Sequence, residues 1–157
     1  MLSPEALKLI DKEVAKYPAE QKQSAVMSAL RIAQDEQGWL APESIEFVAN
    51  YLGMPPIAVY EVASFYNMYD IQPVGKYKIS VCTNLPCALS GAGTVADHLK
   101  KKLGINFGET TEDGMFTLKE AECMGACGDA PLFTINNKRM VSFLTPEKID
   151  QILAELE

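Results

Sequence analysis

The sequence predicts an α/β chain in two parts: a small all-helical domain of about four helices over residues 1–72, then a βαβ-ββα domain over residues 73–157. Three observations carry that expectation. Apolar residues recur at helical spacing up to Met68, the period changes to two beyond Asp70-Ile71-Gln72-Pro73-Val74-Gly75, and each of two close cysteine pairs begins at the end of an alternating stretch.

Ser3-Pro4-Glu5 reads as an N-cap, a first-turn proline and an acid placed where the helix dipole favours it. Leu7, Ile10, Val14 and Tyr17 then share a face, and Pro18 closes the helix. A second helix is expected from about Gln21 to Gln37, with Val26, Leu30 and Ala33 inward and a stop at Gly38. Pro42 opens a third, striped by Ile45, Val48, Ala49 and Leu52, with Gly53 as its left-handed cap. Pro55-Pro56 starts a fourth, Ile57 to about Met68. Its aromatics, Tyr60, Phe65, Tyr66 and nearby Tyr69, read as local core by their spacing, with a docking surface as the alternative. Trp39 is read as packing.

In the second part, Lys76 to Val81 alternates like a strand and delivers Cys82. Gly91 to Leu103 reads as a helix, with Val95, Leu99 and Leu103 four residues apart, Gly104 as its stop, and Lys100 to Lys102 as a solvated, dipole-favoured last turn. After a polar turn at Glu112-Asp113-Gly114, Met115 to Glu122 alternates again and delivers Cys123. Leu132–Ile135 and Lys138–Phe143 form a hairpin across Asn136-Asn137, residues that tolerate positive φ. Thr145-Pro146-Glu147 caps a last helix striped by Ile149, Ile152, Leu153 and Leu156.

The bulk numbers narrow the function. With 157 residues, 48% hydrophobic and 22% charged, the composition is that of a globular protein rather than a disordered one. The net charge of -7 argues against nucleic acid as a partner, since neither half offers a basic face. No charged leader with an apolar core opens the chain, so no signal peptide is expected. Phe47 to Tyr60, the longest uncharged stretch, is broken by Gly53, Pro55 and Pro56 and falls short of the roughly 20 residues of a membrane span. A soluble, intracellular protein follows as the expectation.

The four cysteines, Cys82, Cys87, Cys123 and Cys127, are the chemistry. In a reducing compartment two close pairs read as metal or redox groups rather than structural disulfides. Strand, helix, strand is the parallel crossover, and sites on such sheets lie beyond the carboxyl ends of the strands, so the two pairs can meet. Zinc favours pairs two to four residues apart on tight knuckles; spacings of four and three, with Asn84-Leu85-Pro86 inside the first, suit a looser two-iron cluster better, and zinc stands as the alternative. A thioredoxin-type dithiol would need its cysteines two residues apart at a helix start, which is not found. His98, mid-helix, reads as satisfied or solvated, and Gly91-Ala92-Gly93 lacks the third glycine of a dinucleotide fingerprint.

Phe65-Tyr66-Asn67-Met68-Tyr69, Pro73-Val74-Gly75-Lys76-Tyr77, Val81-Cys82-Thr83-Asn84 through Cys87, Asp113-Gly114, and Glu122-Cys123-Met124-Gly125-Ala126-Cys127-Gly128-Asp129-Ala130-Pro131 together resemble a known family. It is the small thioredoxin-like [2Fe-2S] subunit of the NADH dehydrogenase module in respiratory complex I (NADH-quinone oxidoreductase). The resemblance covers nearly the whole chain. It implies a thioredoxin-like fold for residues 73–157 and one [2Fe-2S] cluster held by Cys82, Cys87, Cys123 and Cys127, each close pair on one iron. It also implies a partner, the larger flavoprotein subunit that carries FMN and binds NADH, clasped by the helical half within a larger respiratory complex. The cluster would exchange an electron with that flavin, to one side of the main electron route. No nucleotide or substrate site is expected in this chain, and its place would be cytoplasmic, peripheral at the inner face of the energy-transducing membrane and not inserted in it. Related subunits serve NAD-linked hydrogenases and formate dehydrogenases. The resemblance makes Ala130-Pro131 the candidate cis peptide. A zinc-stabilised adaptor with no redox role and a free ferredoxin are the competing functions.

Overall fold

The computed structural model describes residues 2–156, and the chain forms two compact units, Met1–Pro73 and Val74–Glu157. In the first, α1 (Pro4–Val14), α2 (Val26–Gln37), α3 (Pro42–Leu52) and α4 (Pro56–Phe65) pack around Ile10, Leu30, Leu40, Val48, Leu52 and Val59. Ser3 Oγ accepts the Ala6 N–H at 3.1 Å, the N-cap read from the sequence. Gly38 and Gly53 close α2 and α3 at φ of 84° and 68°.

Three boundaries differ from the sequence expectation. α1 ends at Val14, because Pro18 disfavours a helical residue before it, and Tyr17 is exposed rather than in the stripe. Residues 19–25 form a 3-10 segment interrupted at Gln21 (φ -119°, ψ 22°), since Glu20 to Ser24 are all exposed and offer no apolar face to pack. α4 stops at Phe65, because Tyr66 turns extended (φ -90°, ψ 122°) so that Tyr69 can enter the core.

That turn divides the aromatic cluster. Tyr69 is core, 4% exposed, and donates its hydroxyl to Met27 O at 2.8 Å; burial pushes its pKa up to about 12. Tyr60, Phe65 and Tyr66 are exposed, Phe65 by 80%, so the reading of all four as core is wrong for three of them. Helical spacing assigns residues to a face, but these three lie on a face nothing in the unit covers. Trp39 is half-buried.

The second unit contains β1 (Tyr77–Cys82), α5 (Leu85–Leu89), α6 (Ala92–Leu103), β2 (Phe116–Ala121), β3 (Phe133–Ile135), β4 (Arg139–Val141) and α7 (Pro146–Leu156). The sheet order is β2-β1-β3-β4, with β1 parallel to β2 and antiparallel to β3, and β3 antiparallel to β4. Ile79, Val81, Leu118 and Phe133 share one core with Val95 and Leu99 of α6 and Ile149 and Ile152 of α7. Lys78 and Ser80, at the alternate positions of β1, are buried too, as expected of a central strand. Asn136 and Asn137 take φ of 52° and 57° at the hairpin, and the Ala130-Pro131 peptide is cis. Among the described residues no helix is long and apolar enough to cross a membrane.

Two details of this unit carry expectations. A Cβ on Gly75 would stand 2.8 Å from Gly114 O, against backbone that cannot swing away, while Gly75 N–H donates to Thr117 Oγ1 at 2.6 Å. Gly75→Ala should therefore lower stability by about 1–3 kcal/mol, the cost of overpacking, read as a lower denaturant midpoint at unchanged slope. An unchanged midpoint would show that the strand entry yields freely.

Between α6 and α7, His98 Nε2 lies 2.9 Å from Asp150 Oδ1, and Lys102 Nζ lies 3.3 Å from the same oxygen. The His98 hydrogen bond, and then Lys102, hold the Asp150 pKa below the usual aspartate value. A lowered carboxylate pKa contributes stability present above the unfolded value of about 3.9 and lost as pH falls through the folded one. Asp150→Asn is expected to flatten the fall in Tm below about pH 4, and equal slopes for the two proteins would refute this contribution.

Candidate metal centre

Each cysteine is delivered by a definite piece of fold. Cys82 is the last residue of β1, 1% exposed. Cys87 lies in α5, also 1% exposed. Cys123 follows β2 by two residues and Cys127 opens a 3-10 turn to Asp129; both are exposed. None of the four is in a disulfide.

The span between Cys82 and Cys87, to which the sequence assigns no element, is helical in its second half. The signal was present: Asn84 sits where a cap would and Pro86 at a first-turn position. The Asn84 side chain does not cap α5 but reaches Glu122 instead. The backbone still closes the turn, with Ala88 N–H donating to Asn84 O at 2.9 Å.

The four sulfurs form two pairs that sense one another. Cys87 is pushed up to about 11 by burial first, then by a hydrogen bond with Cys82 and by the charges of Cys82, Cys127 and Cys123. Cys127 is also raised, by burial first, then by the charge of and hydrogen bond with Cys123, and by the charge of Cys82. Like charges crowded this way oppose ionisation until a cation relieves them, which is the electrostatic condition of a thiolate metal site. Among the described residues no three His, Cys, Asp or Glu side chains converge on one point as ligands of a single ion.

The surroundings differ for the two pairs. Cys82 and Cys87 pack with Ala92 and Leu132, and Met124, Ala126 and Ala130 close the pocket, a small apolar lining that excludes water from sulfur. Cys123 is on the solvent side, where Gly125, at φ 73°, turns its N–H back to donate to Cys123 Sγ at 3.3 Å. A side chain at that φ would be strained, which explains the glycine in the Cys123–Cys127 loop. N–H donation to sulfur stabilises added negative charge and raises a reduction potential.

The donor set fits an iron-sulfur cluster: soft sulfur only, two by two, in a pocket dry on one side. Comparison with known proteins points the same way. Residues 10–157 match the family model described as thioredoxin-like [2Fe-2S] ferredoxin. The E subunit of NADH-quinone oxidoreductase from Rickettsia conorii is 45% identical over 96% of this chain and 90% of its own length. NADH-quinone oxidoreductase subunit 2 of Thermus thermophilus is 42% identical over 94% and 81%. Among solved structures, an NAD+-reducing [NiFe]-hydrogenase chain shares the fold, with a TM-score of 0.66 and 23% identity over 85% of this chain, which spans 22% of that longer one. The chain therefore belongs to the thioredoxin-like [2Fe-2S] ferredoxin family, among the relatives of the E subunit of NADH-quinone oxidoreductase.

Proposed function

We propose that this chain is the [2Fe-2S] electron-transfer subunit of an NADH:quinone oxidoreductase, with Cys82, Cys87, Cys123 and Cys127 as the ligands. The observation that carries the reading is the parallel register of β1 and β2, which ends with Cys82 against Ala121, two residues before Cys123, while Cys87 lies within hydrogen-bond reach of Cys82 and Cys127 of Cys123. Bound there, a [2Fe-2S] cluster supplies one-electron exchange with the flavin of an NADH-binding partner subunit. The chain's own residues hold it, shield one side from water through Leu132 and Ala92, and donate to one sulfur from Gly125.

The helical unit, residues 1–73 here, is the part proposed to clasp that flavoprotein. It presents the exposed Phe65 and Tyr66 and a groove of about 420 Å³ lined by Leu40, Ile45, Ile57, Tyr60 and Ile71. Exposed aromatics beside an apolar groove have the chemistry of interface anchors. Residues 32–75 contain no Lys, Arg or His but include Asp35, Glu36, Glu43, Glu46, Glu61 and Asp70, so a partner surface with basic flanks would be complementary. Membrane attachment would come through the complex rather than through this chain.

Anaerobic purification from its own cells tests the reading. About two irons and two sulfides per chain, a rhombic EPR signal on reduction and a co-purifying flavoprotein are expected. One zinc per chain with no visible absorbance would overturn it in favour of a structural adaptor.

A further inference from the structure

β1 and β2 run parallel in register from Tyr77 against Phe116 to Cys82 against Ala121, and there the paired residues end. Immediately beyond, the chain leads to Cys87 in α5 on one side and to Cys123 in the turn after β2 on the other. Two side-chain bridges span the loops at that point. Thr83 Oγ1 donates to Glu120 Oε1 at 2.7 Å, and Asn84 Nδ2 donates to Glu122 Oε2 at 3.3 Å. Thr83 and Asn84 directly follow Cys82, and Glu122 directly precedes Cys123. Both bridges run from the segment after Cys82, one to Glu120 near the end of β2 and one to Glu122 in the turn before Cys123.

We infer that Thr83, Asn84, Glu120 and Glu122 form a clamp, a set of positioning residues that holds the segment after Cys82 against the end of β2 and the residue before Cys123, and fixes two carboxylates near the proposed ligands. The inference rests on the ligand assignment proposed above. Its physics has two parts. A two-iron centre has a fixed span between its ligand pairs, so loops tied together beforehand lose less freedom when the centre assembles and open less readily afterwards. The carboxylates also add negative charge next to a group that becomes more negative on reduction, so they disfavour the reduced state. Because Glu120 and Glu122 are exposed, that second effect is screened by salt, which gives it a signature that packing alone lacks.

The test uses the full chain with its cluster assembled, comparing Glu122→Gln, Asn84→Ala, Thr83→Val and Thr83→Ser with the unaltered protein. Two quantities are read: the reduction potential by EPR-monitored titration at low and high ionic strength, and the half-time of bleaching of the visible absorbance under an iron chelator. Glu122→Gln keeps an oxygen for Asn84 but loses the charge, so its potential is expected to shift positive at low ionic strength, by an amount that shrinks with added salt. Asn84→Ala and Thr83→Val keep both charges and lose a bridge, so they are expected to bleach about two- to tenfold faster, the worth of one ordinary solvent-exposed hydrogen bond. Thr83→Ser retains the hydroxyl and is expected to return the half-time to that of the unaltered chain. A Glu122→Gln potential unmoved at low ionic strength, or unaltered bleaching in both Asn84→Ala and Thr83→Val, overturns the clamp while leaving the ligands in place. A chain that takes up zinc, or no metal, overturns the clamp and the ligand assignment together, and metal analysis tells that case from the others.

Discussion

Replacing Phe65 and Tyr66 together with Ala is expected to weaken capture of the proposed flavoprotein partner about 30- to 1000-fold, the roughly 2–4 kcal/mol typical of two aromatic anchors at an interface centre. The rings are presented on a rigid base. Phe65 meets Tyr66 edge-on at 5.0 Å between centroids, and Tyr66 meets Tyr69 edge-on at 6.4 Å. Tyr69 is fixed by its hydroxyl on Met27 O. Gln34, 9% exposed, locks the same turn from both sides: its Nε2 donates to Met68 O at 2.9 Å and its Oε1 accepts from Asp70 N at 2.6 Å. An anchor held this way loses little conformational freedom on binding, which is what makes aromatic contacts strong.

The same geometry makes the experiment clean. Phe65 is 80% and Tyr66 39% exposed, so their removal takes little from the helical core and Tm should move only slightly. Tyr69→Ala would empty a core site and unfold the turn, so it cannot separate binding from folding. Capture measured by titration with the purified flavoprotein, with Tm as control, decides the matter. A folded double variant that binds as tightly as the unaltered chain would mean that the exposed rings are not anchors.

These aromatics also show where the sequence runs out. Tyr60, Phe65, Tyr66 and Tyr69 share composition and near-helical spacing, yet one is core and three face solvent. The difference is made by one residue, Tyr66, leaving the helical region, a local turn that no period announces. Elsewhere the local signals were enough. Proline at first-turn positions and glycine at left-handed caps mark α1, α3 and α4 at their starts and α2, α3 and α6 at their ends, because each of those residues is favoured there by its own backbone. The paired asparagines at positive φ mark the hairpin for the same reason.

The candidate site was legible as spacing but not as environment. Two cysteine pairs, each following a predicted strand, point to a shared centre, and the parallel register of β1 and β2 supplies the reason. That Cys82 and Cys87 are dry and Cys123 and Cys127 wet depends on Leu132 and Ala92, which come from other elements. Likewise the bridges from Thr83 and Asn84 join residues about 37 positions apart, a long-range pairing that local patterns do not encode.

Replacing Cys123 with Ser is expected to abolish the visible absorbance and take bound iron from about two per chain to well below one. Serine presents a harder oxygen that ionises far less readily than a thiol, so the second pair would no longer supply two sulfur ligands. This position is a better probe than Cys87, which is 1% exposed within the apolar pocket and whose replacement buries a hydroxyl among Leu132 and Ala92. Cys123 is exposed, so the metal-free forms of the variant and the unaltered chain should melt together. The unaltered chain should then gain Tm when its cluster is assembled, because metal bound only by the folded state adds its binding free energy to stability, and the variant should gain none. A Cys123→Ser protein with full absorbance, full iron and the same gain in Tm would remove Cys123 from the proposed ligand set, and with it the two-by-two geometry on which the proposed electron transfer depends.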